Sequence, residues 1–242
     1  MEMVVIGTGD AFSATRAGSS AVVLAPHGHV LIDAPDGLMR ALAEASHRSG
    51  IAIGAGTIDD ILLTHLHADH ANGLEMFGFR RWVDRRNGVG CLPRLHTPRA
   101  VAARLWERLA PSMDQGGTAG LADYFDVRFL PEGAACDVAG LSVRHRMTQH
   151  SIPCCGFLLS CGGRTLGWSG DTVFDPAHVA WLGAADVIVH ETSESAIHTP
   201  IAALNALPAE VRRKVRLIHM ADAFDPACTD MRPLEAGERV AI

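Results

Sequence analysis

The sequence predicts an α/β fold of two stacked, mixed β-sheets with helices on their outer faces. Three observations lead there. Short apolar runs first follow one another directly, as in a meander, and later alternate with helical segments. Apolar residues make up 48% of the 242 positions, enough to fill a sizeable core. Internal repeats, low-complexity runs and linker-like stretches are absent, so one domain over residues 1–242 is expected.

Residues 3–7, 20–25 and 29–34 are short runs of Val, Leu and Ile bounded by Gly, Pro and polar residues, and read as strands. Residues 37–47 carry Leu38, Leu42 and Ala45 at helical spacing. A buried strand is expected over 61–64, helices over 74–86 and 99–109, and a loop over 111–120 with Gly116, Gly117 and Gly120 as breakers. The second half alternates strands at 125–130, 141–147, 156–161, 165–169, 186–190 and 215–219 with helices near 177–182 and 201–207. Gly7-Thr8-Gly9 follows a strand, but Phe12 stands where a dinucleotide-binding loop needs its third glycine.

Composition narrows the function. No run approaches the ~18 uncharged apolar residues of a membrane helix. The N-terminal residues lack the pattern of a signal peptide, so a cytoplasmic location is expected. A net charge of −6 disfavours a polyanionic partner. The nearest basic patch, Arg80, Arg81, Arg85 and Arg86, reads as one solvated helix face, with a phosphate contact as the alternative. Six cysteines form no CxxC pair and read as buried, reduced thiols.

The 13 histidines are the informative excess. His65-Leu66-His67-Ala68-Asp69-His70 follows the apolar run Ile61-Leu62-Leu63. In an extended segment residues two apart point the same way, so His65 and His67 can reach one ion. Asp69 and His70 can address a second point as the chain turns away. Imidazole and carboxylate ligands suit zinc, iron or manganese.

This motif resembles the signature of the metallo-β-lactamase superfamily, and other residues match in order. Asp33 ends a strand, His150 follows another, Asp171 sits in Trp168-Ser169-Gly170-Asp171-Thr172, and His219 ends Val215-Arg216-Leu217-Ile218. The resemblance implies the αββα sandwich of that family and two divalent cations, zinc first, with manganese or iron as alternatives. His65, His67 and His150 would bind one, and Asp69, His70 and His219 the other, with Asp171 between them. Asp69 is carried over as a catalytic residue as well. Asp33 would fix a ligand or the loop through hydrogen bonds. Two such cations ~3.5–4 Å apart make a bridging water acidic and stabilise charge in the transition state.

His190-Glu191-Thr192 and His198-Thr199-Pro200 are similar to the paired segments of ribonuclease Z, in shortened and altered form. The resemblance implies that His198 protonates the leaving oxygen and that Glu191 orients it; His190 could be structural or catalytic. The short interval between His150 and Asp171 leaves no room for the basic arm that grips transfer RNA, so that substrate is disfavoured. The nearer likeness is the small phosphodiesterase of that branch, although no cysteine precedes Cys91 to hold its structural zinc.

A phosphodiesterase acting on a small or cyclic phosphodiester or nucleotide through a metal-bridging hydroxide is therefore the leading expectation. A lactonase or other acyl hydrolase (β-lactam or thioester) is the alternative. A non-catalytic binding protein is disfavoured because no ligand is missing, and a flavodiiron protein because His67 stands where glutamate is usual. The expected partner is a small-molecule substrate, without a membrane; a homodimer is left open.

Overall fold

The computed structural model describes residues 1–242. The first half runs β1 (Glu2–Gly7), β2 (Ser20–Ala25), β3 (Gly28–Ile32), α1 (Leu38–Ser49), β4 (Ile58–Leu62), α2 (Ala68–Ala71), α3 (Gly73–Arg86), β5 (Arg94–Thr97), α4 (Arg99–Ala102), α5 (Leu105–Met113), α6 (Leu121–Tyr124) and β6 (Asp126–Phe129). The second runs β7 (Cys136–Val138), β8 (Leu141–Met147), β9 (Cys155–Cys161), β10 (Arg164–Trp168), α7 (Pro176–Leu182), β11 (Val187–Glu191), α8 (Ile201–Asn205), α9 (Ala209–Arg212), β12 (Val215–Ile218), β13 (Arg232–Pro233) and β14 (Arg239–Ala241).

The strands form two seven-stranded mixed sheets, ordered β14-β1-β2-β3-β4-β5-β6 and β13-β12-β11-β10-β9-β8-β7. Alternation along each strand builds the layers. In β1, Met3 and Val5 face the opposing sheet while Val4 and Ile6 face the helices. In β11, Val187 and Val189 face the opposing sheet and Ile188 packs outward with Leu182 and Leu204. One apolar core thus lies between the sheets and one beneath each helical layer, as expected for the sandwich. In α1, Leu38, Ala41, Leu42 and Ala45 form a buried stripe, and the helix ends at Gly50 in a left-handed conformation. No helix is long and apolar enough to cross a membrane.

Several local expectations need correction. The strand before the histidine motif spans Ile58–Leu62, so Thr64 and His65 lie beyond it. The helix expected over 99–109 is two helices, broken after Ala102. Helix α5 continues through Pro111 to Met113 because Leu105, Leu109 and Met113 anchor its buried face. Strand β5 escaped the apolar pattern altogether. Arg81 is not on a solvated face: it is 1% exposed and donates to the carbonyls of Ala55 and Ile58 and to Asp59. The thiols are all free, but Cys91 and Cys228 are exposed rather than buried.

Candidate metal centre and active site

The chain turns out of the C-terminal ends of β3, β4, β8, β10, β11 and β12 at one edge of the sandwich, and there the candidate residues meet. His65, His67, His150 and Asp171 bring ligand atoms within 4.8 Å of one another, as do Asp69, His70, Asp171 and His219. These are the two expected sets, sharing the expected aspartate. Asp171 Oδ2 is the centre: His70 Nε2 lies 3.4 Å away, His65 Nε2 and His219 Nε2 both 3.5 Å, and His150 Nε2 3.8 Å. Asp69 Oδ2 sits 3.2 Å from His219 Nε2 and 3.3 Å from His70 Nε2.

Hydrogen bonds behind the rings decide which nitrogen faces inward. His70 Nδ1 donates to Asp33 Oδ2 at 2.8 Å. Thr64 Oγ1 donates to the same oxygen at 2.8 Å and accepts from His65 Nδ1 at 2.9 Å. His150 Nδ1 donates to the Ile197 carbonyl at 3.0 Å. In all three rings the proton is held on the far side, leaving an Nε2 lone pair turned to the centre. His67 instead presents Nδ1, 3.1 Å from His65 Nε2 and 3.0 Å from His150 Nε2. A single proton on His67 Nδ1 could serve only one of the two facing Nε2 lone pairs well, whereas a cation between the three nitrogens accepts all three lone pairs. His70 Nε2 and Asp171 Oδ2 are buried without a hydrogen-bond partner, and both face the same point. The donor set therefore fits two divalent cations.

The electrostatics agree. Burial would raise the Asp171 carboxyl, yet His219, His70 and His65 hold it well below the usual carboxylate range. Asp69 is likewise held low by His219 and His70 against the effect of burial. Burial pushes His65, His67 and His150 down, toward the neutral form a ligand needs. For His70 and His219 burial is outweighed by the carboxylates, chiefly Asp171, and His219 is raised to about 9. Cation binding there must displace protons.

Two backbone features hold these side chains. Asp33 and His219 adopt left-handed φ values of 58° and 61°, unusual for residues with a Cβ. Gly170 has φ 61°, and a Cβ there would lie 2.3 Å from the Cys155 carbonyl oxygen, so only glycine lets β9 approach the loop that carries Asp171.

On the same wall, His198 Nδ1 lies 3.1 Å from Glu191 Oε1. That oxygen also accepts from the amides of Thr172, at 3.0 Å, and Thr199, at 3.2 Å. Glu191 is 1% exposed, and burial raises its carboxyl although His198 opposes this. Glu191, His198 and His219 also bring ligand atoms within 4.8 Å of one another. His190 does not join them. It points to the opposite face of β11, donates from Nδ1 to the Glu191 carbonyl at 2.7 Å, and lies near His178 under α7. Asp33 makes the supporting hydrogen bonds foreseen for it. The supporting roles of Thr64, just past β4, and Thr199, just before α8, escaped notice because a lone threonine carries no distinguishing pattern.

Asp69, Asp171, His198 and His219 line a cavity of about 360 Å³ together with Phe12 and Ile197. A second cavity of about 470 Å³ also borders His67 and is lined by Arg104, Glu107 and Arg108. Both volumes suit a small ligand.

This fold, with a histidine–aspartate cluster at its edge, is the metallo-β-lactamase fold. The metallo-β-lactamase fold protein YhfI from Bacillus subtilis superposes with a TM-score of 0.78 at 14% identity, over 99% of this chain and 98% of that one. The sequence matches the family described as Anti-Pycsar protein Apyc1 over residues 1–236. Apyc1 from Saccharibacillus brassicae is 32% identical over 230 residues, 92% of this chain and 90% of that protein. The chain belongs to the Apyc1 family. It is also similar to the cGMP-dependent 3′,5′-cGMP phosphodiesterase A of Dictyostelium discoideum, at 24% identity over 97% of this chain and 27% of that protein.

Proposed function

We propose that the protein is a binuclear metal-dependent phosphodiesterase that opens 3′,5′-cyclic nucleotides. The observation that carries the reading is the Glu191–His198 pair, at 3.1 Å, on the same cavity wall as two ligand sets that share Asp171. The similarity to a Dictyostelium cyclic-nucleotide phosphodiesterase supports the choice of substrate.

His65, His67 and His150 would hold one cation and Asp69, His70 and His219 the other, with Asp171 shared; zinc would suit the nitrogen-rich set best. When bound, the cations supply an activated water at neutral pH and positive charge against the oxygens of the phosphate. Asp33 holds His70 directly and His65 through Thr64, each with its lone pair inward. As the water oxygen bonds to phosphorus, its proton passing to solvent, the bond from phosphorus to a ribose oxygen breaks and its electron pair stays on that oxygen. His198, held through Nδ1 by Glu191, delivers a proton from Nε2 to it. The released hydroxyl remains on the product, a nucleoside monophosphate.

An acyl hydrolase of the same fold needs the cations but not the Glu191–His198 pair, which sets the lactonase reading second. The substrate is a small molecule rather than transfer RNA, and the chain works as one cytoplasmic domain. The test is a side-by-side turnover screen of cyclic mononucleotides against lactones, β-lactams and thioesters, on protein of known metal content. Brisk lactone hydrolysis with no turnover of cyclic nucleotides overturns the proposal.

A further inference from the structure

Phe12 is 93% exposed, the most exposed large apolar side chain in a protein with only 5% aromatic residues. A single exposed apolar residue is ordinary on a protein surface. Phe12 differs in two respects: where it sits, and how firmly its loop is held. It lines the same cavity as Asp69, Asp171, His198 and His219.

The loop that presents it is stapled down. The Phe12 amide donates to Asp10 Oδ1 at 3.1 Å. Ser13 Oγ and Thr15 Oγ1 donate to Asp222 Oδ1 at 2.5 and 2.6 Å, and the Ala14 amide to Asp222 Oδ2 at 2.8 Å. Arg16 Nη1 donates to the Ala221 carbonyl at 2.9 Å and lies 3.5 Å from Asp222. The Asp10 amide donates to the Met220 carbonyl, and the Met220 amide to that of Thr8. Apart from the bond within the loop to Asp10, these anchors lie on Met220–Asp222, directly after His219. The backbone that carries the ring is therefore held beside the histidine–aspartate cluster, and a ligand that meets the ring does so without first ordering a loop.

We propose that Phe12 is the platform on which the base of the substrate stacks while its phosphate lies at the histidine–aspartate cluster. This rests on the cyclic-nucleotide reading above and adds the group that recognises the base. A phosphodiester at the histidine–aspartate cluster, with its leaving oxygen toward His198, leaves the base to extend along the cavity that Phe12 also lines. A flat, apolar ring at the rim covers one face of it, and stacking of this kind requires no particular pattern of hydrogen-bonding groups.

The test compares metal-loaded wild type, Phe12→Ala and Phe12→Trp on 3′,5′-cyclic AMP and on ribose 3′,5′-cyclic phosphate, which carries no base. Phe12→Ala is expected to raise KM for cyclic AMP about tenfold, with kcat changed by less than about twofold. KM for the base-free diester stays as in wild type, and Phe12→Trp restores the low KM for cyclic AMP. Unfolding midpoint, metal content and mass on a sizing column are unchanged, because the ring is solvent-exposed in the free protein. An unchanged KM for cyclic AMP in Phe12→Ala, or an equal rise for both substrates, overturns the platform and leaves the function standing. So does a fall in mass, which makes Phe12 a contact between two copies. A wild type that turns over neither substrate overturns the function and the platform with it.

Discussion

Replacing His198 with alanine removes a ring held 3.1 Å from a buried carboxylate and outside the two ligand sets that share Asp171. With Nδ1 committed to Glu191, the only proton the ring can offer a substrate is on Nε2. A cyclic phosphodiester releases an alkoxide, which is poorly stable in water until protonated, so losing this proton donor should lower kcat by roughly 10²–10⁴-fold, or ~3–5.5 kcal/mol of barrier. An activated diester with a nitrophenolate leaving group departs without a proton and should lose far less. Glu191→Gln keeps the shape of the side chain but weakens the anchor on His198, so its loss should follow the same substrate dependence and be smaller, on the order of 10-fold. Steady-state kinetics on both substrates, with metal counted by elemental analysis, decide the matter. Equal losses on alkyl and aryl diesters would refute the proton-donor assignment. Metal loss from His198→Ala would instead make His198 a ligand, as its approach to Glu191 and His219 permits.

Three further outcomes are expected. Asp171→Ala should lose at least one metal and nearly all turnover, since it leaves two facing cations without their shared carboxylate; retention of both metals with full activity would move the bridge elsewhere. Gly170→Ala should lower stability by at least ~1–3 kcal/mol in urea titration, because the new Cβ would meet the Cys155 carbonyl in a left-handed backbone; wild-type stability would show that the loop can shift. His178 is pushed down to about 4, first by burial and then by neighbouring His190, and its Nδ1 has no partner to receive a proton. Between about 6.5 and 4 the unfolded chain therefore binds more protons, and stability present above 6.5 is lost as pH falls. His178→Gln should flatten this dependence by up to ~1.4 kcal/mol per pH unit, read from urea midpoints at pH 7 and 5.5; parallel curves for variant and wild type would exclude His178 as the source.

The candidate metal ligands are legible in the sequence in part because several occupy strand ends, where a run of apolar residues stops and a histidine or aspartate follows. Asp33, Asp171 and His219 also lie just past strand ends, but it is their match in order to the metallo-β-lactamase motif that singles them out. Strand β5 is not legible, and the cause is chemical. Arg94-Leu95-His96-Thr97 has one apolar residue, yet it lies within the sheet because Asp60 takes up its polar groups. Arg94 donates to that carboxylate at 2.7 and 2.5 Å, and His96 at 2.8 Å. Arg81 is hidden by the same mechanism. Hydrophobic periodicity misses a buried polar residue whose partner lies about 20 to 35 positions away, as Asp59 and Asp60 do here. The relay through Thr64 is invisible for another reason: it depends on the direction of one hydroxyl.

Strand β11 places two neighbouring residues in opposite surroundings. Glu191 turns toward the charged cavity, where three donors meet one of its oxygens, while His190 turns into the layer beneath α7 and is pushed down to about 4 by burial. Because side chains alternate strictly, a slip of this strand by one residue would exchange them. A carboxylate would enter the apolar layer with none of its donors, and an imidazole would take the place of the anion beside Asp171. Both halves of that exchange are costly, so the pairing of β11 with β10 and β12 is guarded by polar residues as well as by the Val187 and Val189 side chains. The reaction chemistry and the alignment of the sheet thus depend on the same dipeptide.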